Sequence, residues 1–124
     1  MSGRSDNLKK QLQDAIGRLK DAIEKGPDDD IVIDATIKRF ELVYELGWKY
    51  LKQELEKEGL VCSSPRQCFK EALAQGWISD EVSWMNMIED RNLLVHTYSQ
   101  ATSREIYKRI KRDYFNLLKS LIPE

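Results

Sequence analysis

The sequence predicts an all-α fold, an up-and-down antiparallel four-helix bundle with an additional short helix. Three observations carry this. Apolar residues recur at alternating steps of three and four, the period of one helix face. No stretch shows the apolar–polar alternation of a strand, and no internal repeat or low-complexity tract is present. Glycine and proline are few, six and three, and mark most segment ends, as at Gly26-Pro27, Gly59, Pro65 and Gly76.

The first helix is expected from about Ser5 to Lys25, with Leu8, Leu12, Ala15, Ile16, Leu19, Ala22 and Ile23 as its stripe. Gly26-Pro27 stops it. Asp28-Asp29-Asp30 suits the next helix start, as caps and against the macrodipole. The second helix is expected from about Asp30 to Glu58, its stripe Ile33, Ile37, Phe40, Tyr44, Gly47/Trp48, Leu51 and Leu55, closed by Gly59. At ~1.5 Å per residue it is roughly 43 Å long, enough to overhang a small bundle or supply a dimer surface. Residues 60–64 form a loop, and Ser64-Pro65 is an N-cap with proline at N1. The short third helix turns Cys68, Phe69, Ala72 and Leu73 inward and stops at Gly76. Ser79-Asp80-Glu81 opens the fourth. Thr102 with Glu105 reads as the capping box of the last, whose stripe is Ile106, Ile110, Tyr114, Leu117, Leu118 and Leu121. Short connections make neighbours antiparallel.

Residues 1–124 are expected to form a single domain, long enough to bury a core without disulfides. A net charge of −1 argues against a general nucleic-acid binder, so any phosphate site must be local. No apolar run approaches the ~20 residues of a membrane span, and the polar N-terminus lacks the apolar core of a secretory signal. Cys62 and Cys68, the only cysteines, make neither a disulfide framework nor, with one histidine, a zinc site. They are expected to be reduced thiols in a cytoplasmic protein.

The stretch Arg91-Asn92-Leu93-Leu94-Val95-His96-Thr97-Tyr98 stands out. It holds the only histidine, and it puts an arginine inside the stripe Trp84, Met87, Ile88, Leu94, Val95, Tyr98. A cation in an apolar seam is costly unless it meets negative charge, from an internal carboxylate, a neighbouring subunit or a phosphate. Arg91 and Tyr98 share a face, while Asn92 and His96 share a neighbouring one with Glu89. Arg91 and His96 stand about 140° apart around a regular helix, so one copy does not focus both on a small ligand. Two copies packed along this seam would bring Arg91 of each near His96 of the other. Arginine clamps phosphate oxygens and stabilises charge on phosphorus; histidine moves protons at neutral pH. On spacing alone the plainer alternative is favoured: Arg91 paired with Glu89, Asp90 or a carboxylate on another helix, and His96 a cap or core-edge residue.

Other features are read as structural. Arg104, Lys108, Arg109, Lys111, Arg112 and Lys119 make the last helix locally basic, a solvated face before a phosphate site. Trp48, Trp77 and Trp84 read as core or interface anchors. Glu41, Glu45 and the 28–30 acids lack the turning loop of a hard-cation site. No glycine-rich phosphate loop, nucleophile elbow or paired-acid nucleotidyltransferase signature is present.

With Arg39-Phe-Glu-Leu-Val-Tyr-Glu-Leu-Gly-Trp-Lys-Tyr-Leu-Lys52, Ser64-Pro-Arg-Gln-Cys-Phe-Lys-Glu-Ala72, Trp84 and Glu89-Asp-Arg-Asn92, that stretch resembles HEPN-domain proteins. The fuller likeness is to the HepT-like, nucleotidyltransferase substrate-binding branch, from about Leu8 to Leu121. The resemblance implies a HEPN-like homodimeric bundle acting with a minimal nucleotidyltransferase in a two-component toxin–antitoxin-like system. It implies metal-independent RNA cleavage by Arg91 and His96 with no cofactor, Asn92 supporting the site, and AMP modification of Tyr98 by the partner as the off switch. It equally admits a non-enzymatic subunit whose dimer groove presents a nucleotide or acceptor to the partner. Where this branch often carries acids after the tyrosine, this chain has Ser99-Gln100.

Overall fold

The computed structural model describes residues 3–26, 28–96 and 99–123. The described residues are helical, with no strand among them: α1 (Gly3–Lys25), α2 (Asp30–Lys57), α3 (Pro65–Ala74), α4 (Glu81–His96), α5 (Gln100–Arg109), a π-helical turn (Ile110–Tyr114) and α6 (Phe115–Lys119). The last three follow without a gap and form one last helix with a wider turn in its middle. The expected all-α bundle with one short extra helix is what forms.

Local chemistry sets most boundaries. Asp29 caps α2, its carboxylate accepting from the Val32 amide at 2.9 Å. Gly59, at φ +77°, ends α2 in the left-handed conformation that glycine adopts freely. Ser64 caps α3 ahead of Pro65. The Thr102–Glu105 capping box is not used. Ser99 is the N-cap, accepting from the Thr102 amide, so the last helix starts earlier than the sequence predicts. A threonine and a glutamate three apart carry the box signature anywhere; only the preceding backbone decides which hydroxyl meets the free amides.

The core is continuous between α1, α2, α3, α4 and the last helix. Leu12, Leu19, Phe40, Trp84, Met87, Ile106, Ile110 and Leu118 are fully buried. Phe40, Tyr44, Phe69 and Trp84 form a chain of ring contacts with centroids 4.8–6.2 Å apart. The short connection after Lys25 folds α1 back along α2. α2 and the last helix run in the same direction: Arg104 meets Asp30 near their starts, and Leu121 meets Gly47 equally far along each. A β-carbon on Gly47 would stand 2.7 Å from Leu121 Cδ1, so a side chain there would have to push the tip of that leucine aside. Trp84 and Trp48 pack in the core, whereas Trp77 is exposed on 40% of its surface.

One expectation fails outright. Cys62 and Cys68 are joined in a disulfide, with Cα atoms 5.3 Å apart. Ser64 starts α3 at once, so Cys68 turns back over Cys62, and both are buried against Leu55. Two cysteines six apart carry no pairing information until that reversal is known. The cytoplasmic expectation loses the support it drew from free thiols. No helix among the described residues is long and apolar enough to cross a membrane.

Candidate functional site

The apolar seam of α4 divides halfway. Trp84, Met87 and Ile88 are buried, Arg91 and Leu94 are half-buried, and Asn92, Leu93, Val95 and His96 are exposed. Thr97 and Tyr98 lie outside the described residues, and with them the expected modification site.

Arg91 lies across α2, its guanidinium carbon 5.4 Å from the Tyr44 ring centroid. Tyr44 is buried, which pushes its hydroxyl up to about 12 against the opposing pull of Arg91 and Arg66, so it stays a neutral platform at physiological pH. The carboxylates expected to neutralise Arg91 are committed elsewhere. Glu89 pairs with Arg66 at 2.9 Å. Asp90 accepts two 2.9 Å hydrogen bonds from Arg109 and one from the Tyr114 hydroxyl. Among the described residues no ion pair engages Arg91, and its Nε is buried without a hydrogen-bond partner. The plainer sequence alternative, a structural pairing of Arg91 with Glu89 or Asp90, is therefore overturned.

Instead Arg91 contributes to the wall of a surface cleft of about 760 Å³ between α1, α2 and α4. Its charged lining is Arg18, Lys38, Arg39 and Arg91 against Glu41 and Glu45. Glu45 turns to Lys49 at 3.3 Å. Arg39 Nη1 donates to the Arg18 carbonyl at 2.7 Å, which steadies the cleft wall. Charge and volume suit a phosphorylated ligand. His96 and Asn92 are not among the lining residues. Within one protomer the helix keeps Arg91 and His96 on different faces, as their spacing requires. The spacing carried no sign of Arg18, Lys38 or Arg39, because they come from two other helices.

The basic last helix is largely neutralised. Arg104 pairs with Asp30, Lys108 with Glu105, Arg109 with Asp90, Lys111 with Asp28 and Arg112 with Asp113. The Tyr107 hydroxyl and Lys111 hold the Asp28 carboxyl below its usual range. Asp90, expected only as a possible partner of Arg91, is buried: it ties α4 to the π-helical turn, where the wider spacing presents Tyr114 to the same carboxylate that Arg109 holds. Burial and that hydrogen bond raise the Tyr114 hydroxyl above its ordinary value. No group of histidine, cysteine, aspartate and glutamate suited to a metal ion occurs among the described residues.

Residues 7–124 match the family described as nucleotidyltransferase substrate binding protein like. A curated relative from Haemophilus influenzae, named probable ribonuclease HepT, is 31% identical over 86 residues, which are 65% of this chain and 59% of that protein. The match thus spans well under two thirds of the relative's length. A protein of Thermus thermophilus has a crystal structure similar to this fold, with TM-score 0.80 and 34% identity, covering 89% of this chain and 94% of that one.

Proposed function

The chain belongs to the nucleotidyltransferase substrate binding protein-like family, and from that membership we propose that it is the HEPN-type partner subunit of a minimal nucleotidyltransferase, acting as a metal-independent ribonuclease of a toxin–antitoxin-like pair. The single observation that carries the reading is Arg91: it lines an open cleft rich in cations, its buried Nε has no partner, and both neighbouring acids are engaged elsewhere. The name of the Haemophilus relative, probable ribonuclease HepT, supports RNA as the substrate class.

In this reading Arg91 holds the scissile phosphate and stabilises the charge that develops on it. The ribose 2′-oxygen attacks phosphorus, the bond to the 5′-oxygen breaks, and a cyclic phosphate forms. His96 takes the proton from the 2′-hydroxyl, and His96 of a second copy returns a proton to the leaving 5′-oxygen. A homodimer packed along the exposed end of α4, where Leu93 and Val95 are open, brings these groups together. Asn92 supports the phosphate, and AMP added to Tyr98 by the partner blocks the site.

A second reading is favoured by one observation: the Arg91 cleft forms within one protomer without His96. A non-enzymatic subunit could hold a nucleotide or acceptor there for the partner's chemistry.

The test is cleavage of labelled RNA in EDTA by wild type, Arg91→Ala and His96→Ala proteins. Cleavage by wild type alone is expected; no cleavage by any of them overturns the nuclease reading. Nucleotide binding that survives His96→Ala but not Arg91→Ala then selects the binding subunit. Sedimentation as a monomer would remove the shared site. Incubation with the partner and ATP should add AMP mass to wild type but not to Tyr98→Phe.

A further inference from the structure

The Arg91 cleft does not end at Arg39. A second hollow continues it along the same two helices, sharing Ala35 and Arg39 and adding Lys25 beside Asp21. Arg18, Lys25, Lys38 and Arg39 therefore line one groove that leads away from Arg91. Among the described residues none of these cations has a carboxylate partner within ion-pair distance, whereas five cations of the last helix do. Arg39 is fixed at the junction by its bond to the Arg18 carbonyl. Arg18, Lys25 and Lys38 are exposed. Uncompensated cations along a groove are what a phosphate chain selects: a neutralised face has no counterions to release, and an unneutralised one facing a polyanion does.

The geometry points to the α1–α2 groove as the track for a single-stranded RNA backbone, with Arg18, Lys38, Arg39 and Lys25 holding successive phosphates beyond the one at Arg91. The last helix takes no part. This rests on the reading of RNA as substrate. It adds residues that neither the spacing around Arg91 nor the family name assigns, and its consequence is that long RNA binds more tightly than short.

The test uses a fluorescein-labelled single-stranded RNA oligonucleotide of mixed sequence, titrated at rising salt into His96→Ala protein so that the probe stays intact. Arg18→Gln and Lys38→Gln are added singly and together; Lys119→Gln, on the last helix, is the control. Each groove substitution should weaken binding and lower the slope of log affinity against log salt by about 0.7, the pair by about 1.4, and the control should change neither. In a His96-intact background the groove variants should cleave the oligonucleotide more slowly, with a smaller loss on a dinucleotide. Affinity and slope unchanged in the groove variants overturn the track, whether or not wild type cleaves RNA. Groove-dependent slopes in a protein that cleaves nothing support the track while the nuclease reading fails. Both substituted side chains are exposed, and helical circular dichroism checks that each variant is folded.

Discussion

On one face of α4, Asp90 receives Arg109 and Tyr114 and is buried. On another, Arg91 rests on Tyr44 with its Nε unpartnered and opens to a cleft. The two residues are adjacent in the chain. A buried charge with all its hydrogen bonds made inside the fold is committed to structure. A half-buried charge with a nitrogen left unpartnered inside the fold is not committed to structure in the same way. The same contrast separates two larger regions: cations of the last helix meet their own carboxylates, while those of the α1–α2 groove do not.

The largest effect should come from breaking the satisfied side. Asp90→Ala leaves Arg109 and the Tyr114 hydroxyl facing a void. Loss of a buried pair costs roughly 3–5 kcal/mol, discounted to about 2–3 because Arg109 is 40% exposed. Urea unfolding reads it, and a loss below about 1 kcal/mol would mean the clamp is ornamental.

Alkaline unfolding comes next and probes both faces through their tyrosines. Tyr44 titrates near 12 in the fold and near 10 when unfolded. The unfolded chain then loses its proton first, so stability is intact below pH 10 and falls as pH rises toward 12, by roughly 2–3 kcal/mol for this group. Tyr44→Phe should flatten that limb of the stability–pH curve; an unchanged slope would show that the ring is not shielded.

Arg91→Met should do little to stability and much to function. It removes a cation–π contact of about 0.5–1 kcal/mol and relieves an unsatisfied buried donor of about 1–3 kcal/mol. Thermal unfolding at unchanged or slightly raised temperature is expected. A loss above about 2 kcal/mol would move Arg91 to the structural side. Smallest of all, Arg104→Gln removes the exposed pair with Asp30 and should cost under about 0.5 kcal/mol by urea titration, since the last-helix pairs neutralise more than they stabilise. A loss near that of Asp90→Ala would erase the distinction between the buried clamp and the surface pairs.

Much of the fold is legible in the stripes. Leu12, Leu19, Phe40, Leu51, Trp84 and Ile106 sit in the core at the positions their spacing assigns, because helical period and burial are local properties of the chain. The caps at Asp29 and Ser64 are legible for the same reason. The disulfide was not, since its cysteines meet only after the loop reverses. Nor was the π-helical turn, for which the sequence around Ile110–Tyr114 shows no break in its stripe.

For the candidate site, the sequence by itself marked Arg91 as out of place and separated it from His96 by angle, both consequences of helical geometry. It matched Arg91 to the wrong partners, since residues adjacent along a helix point to different faces and Glu89 and Asp90 look elsewhere. Only the tertiary structure decided which carboxylates were already taken, that Tyr44 lies beneath the guanidinium, and that Arg18, Lys38 and Arg39 reach the same cleft from α1 and α2. Those are relations between helices, and they exist only once the bundle has chosen which faces meet.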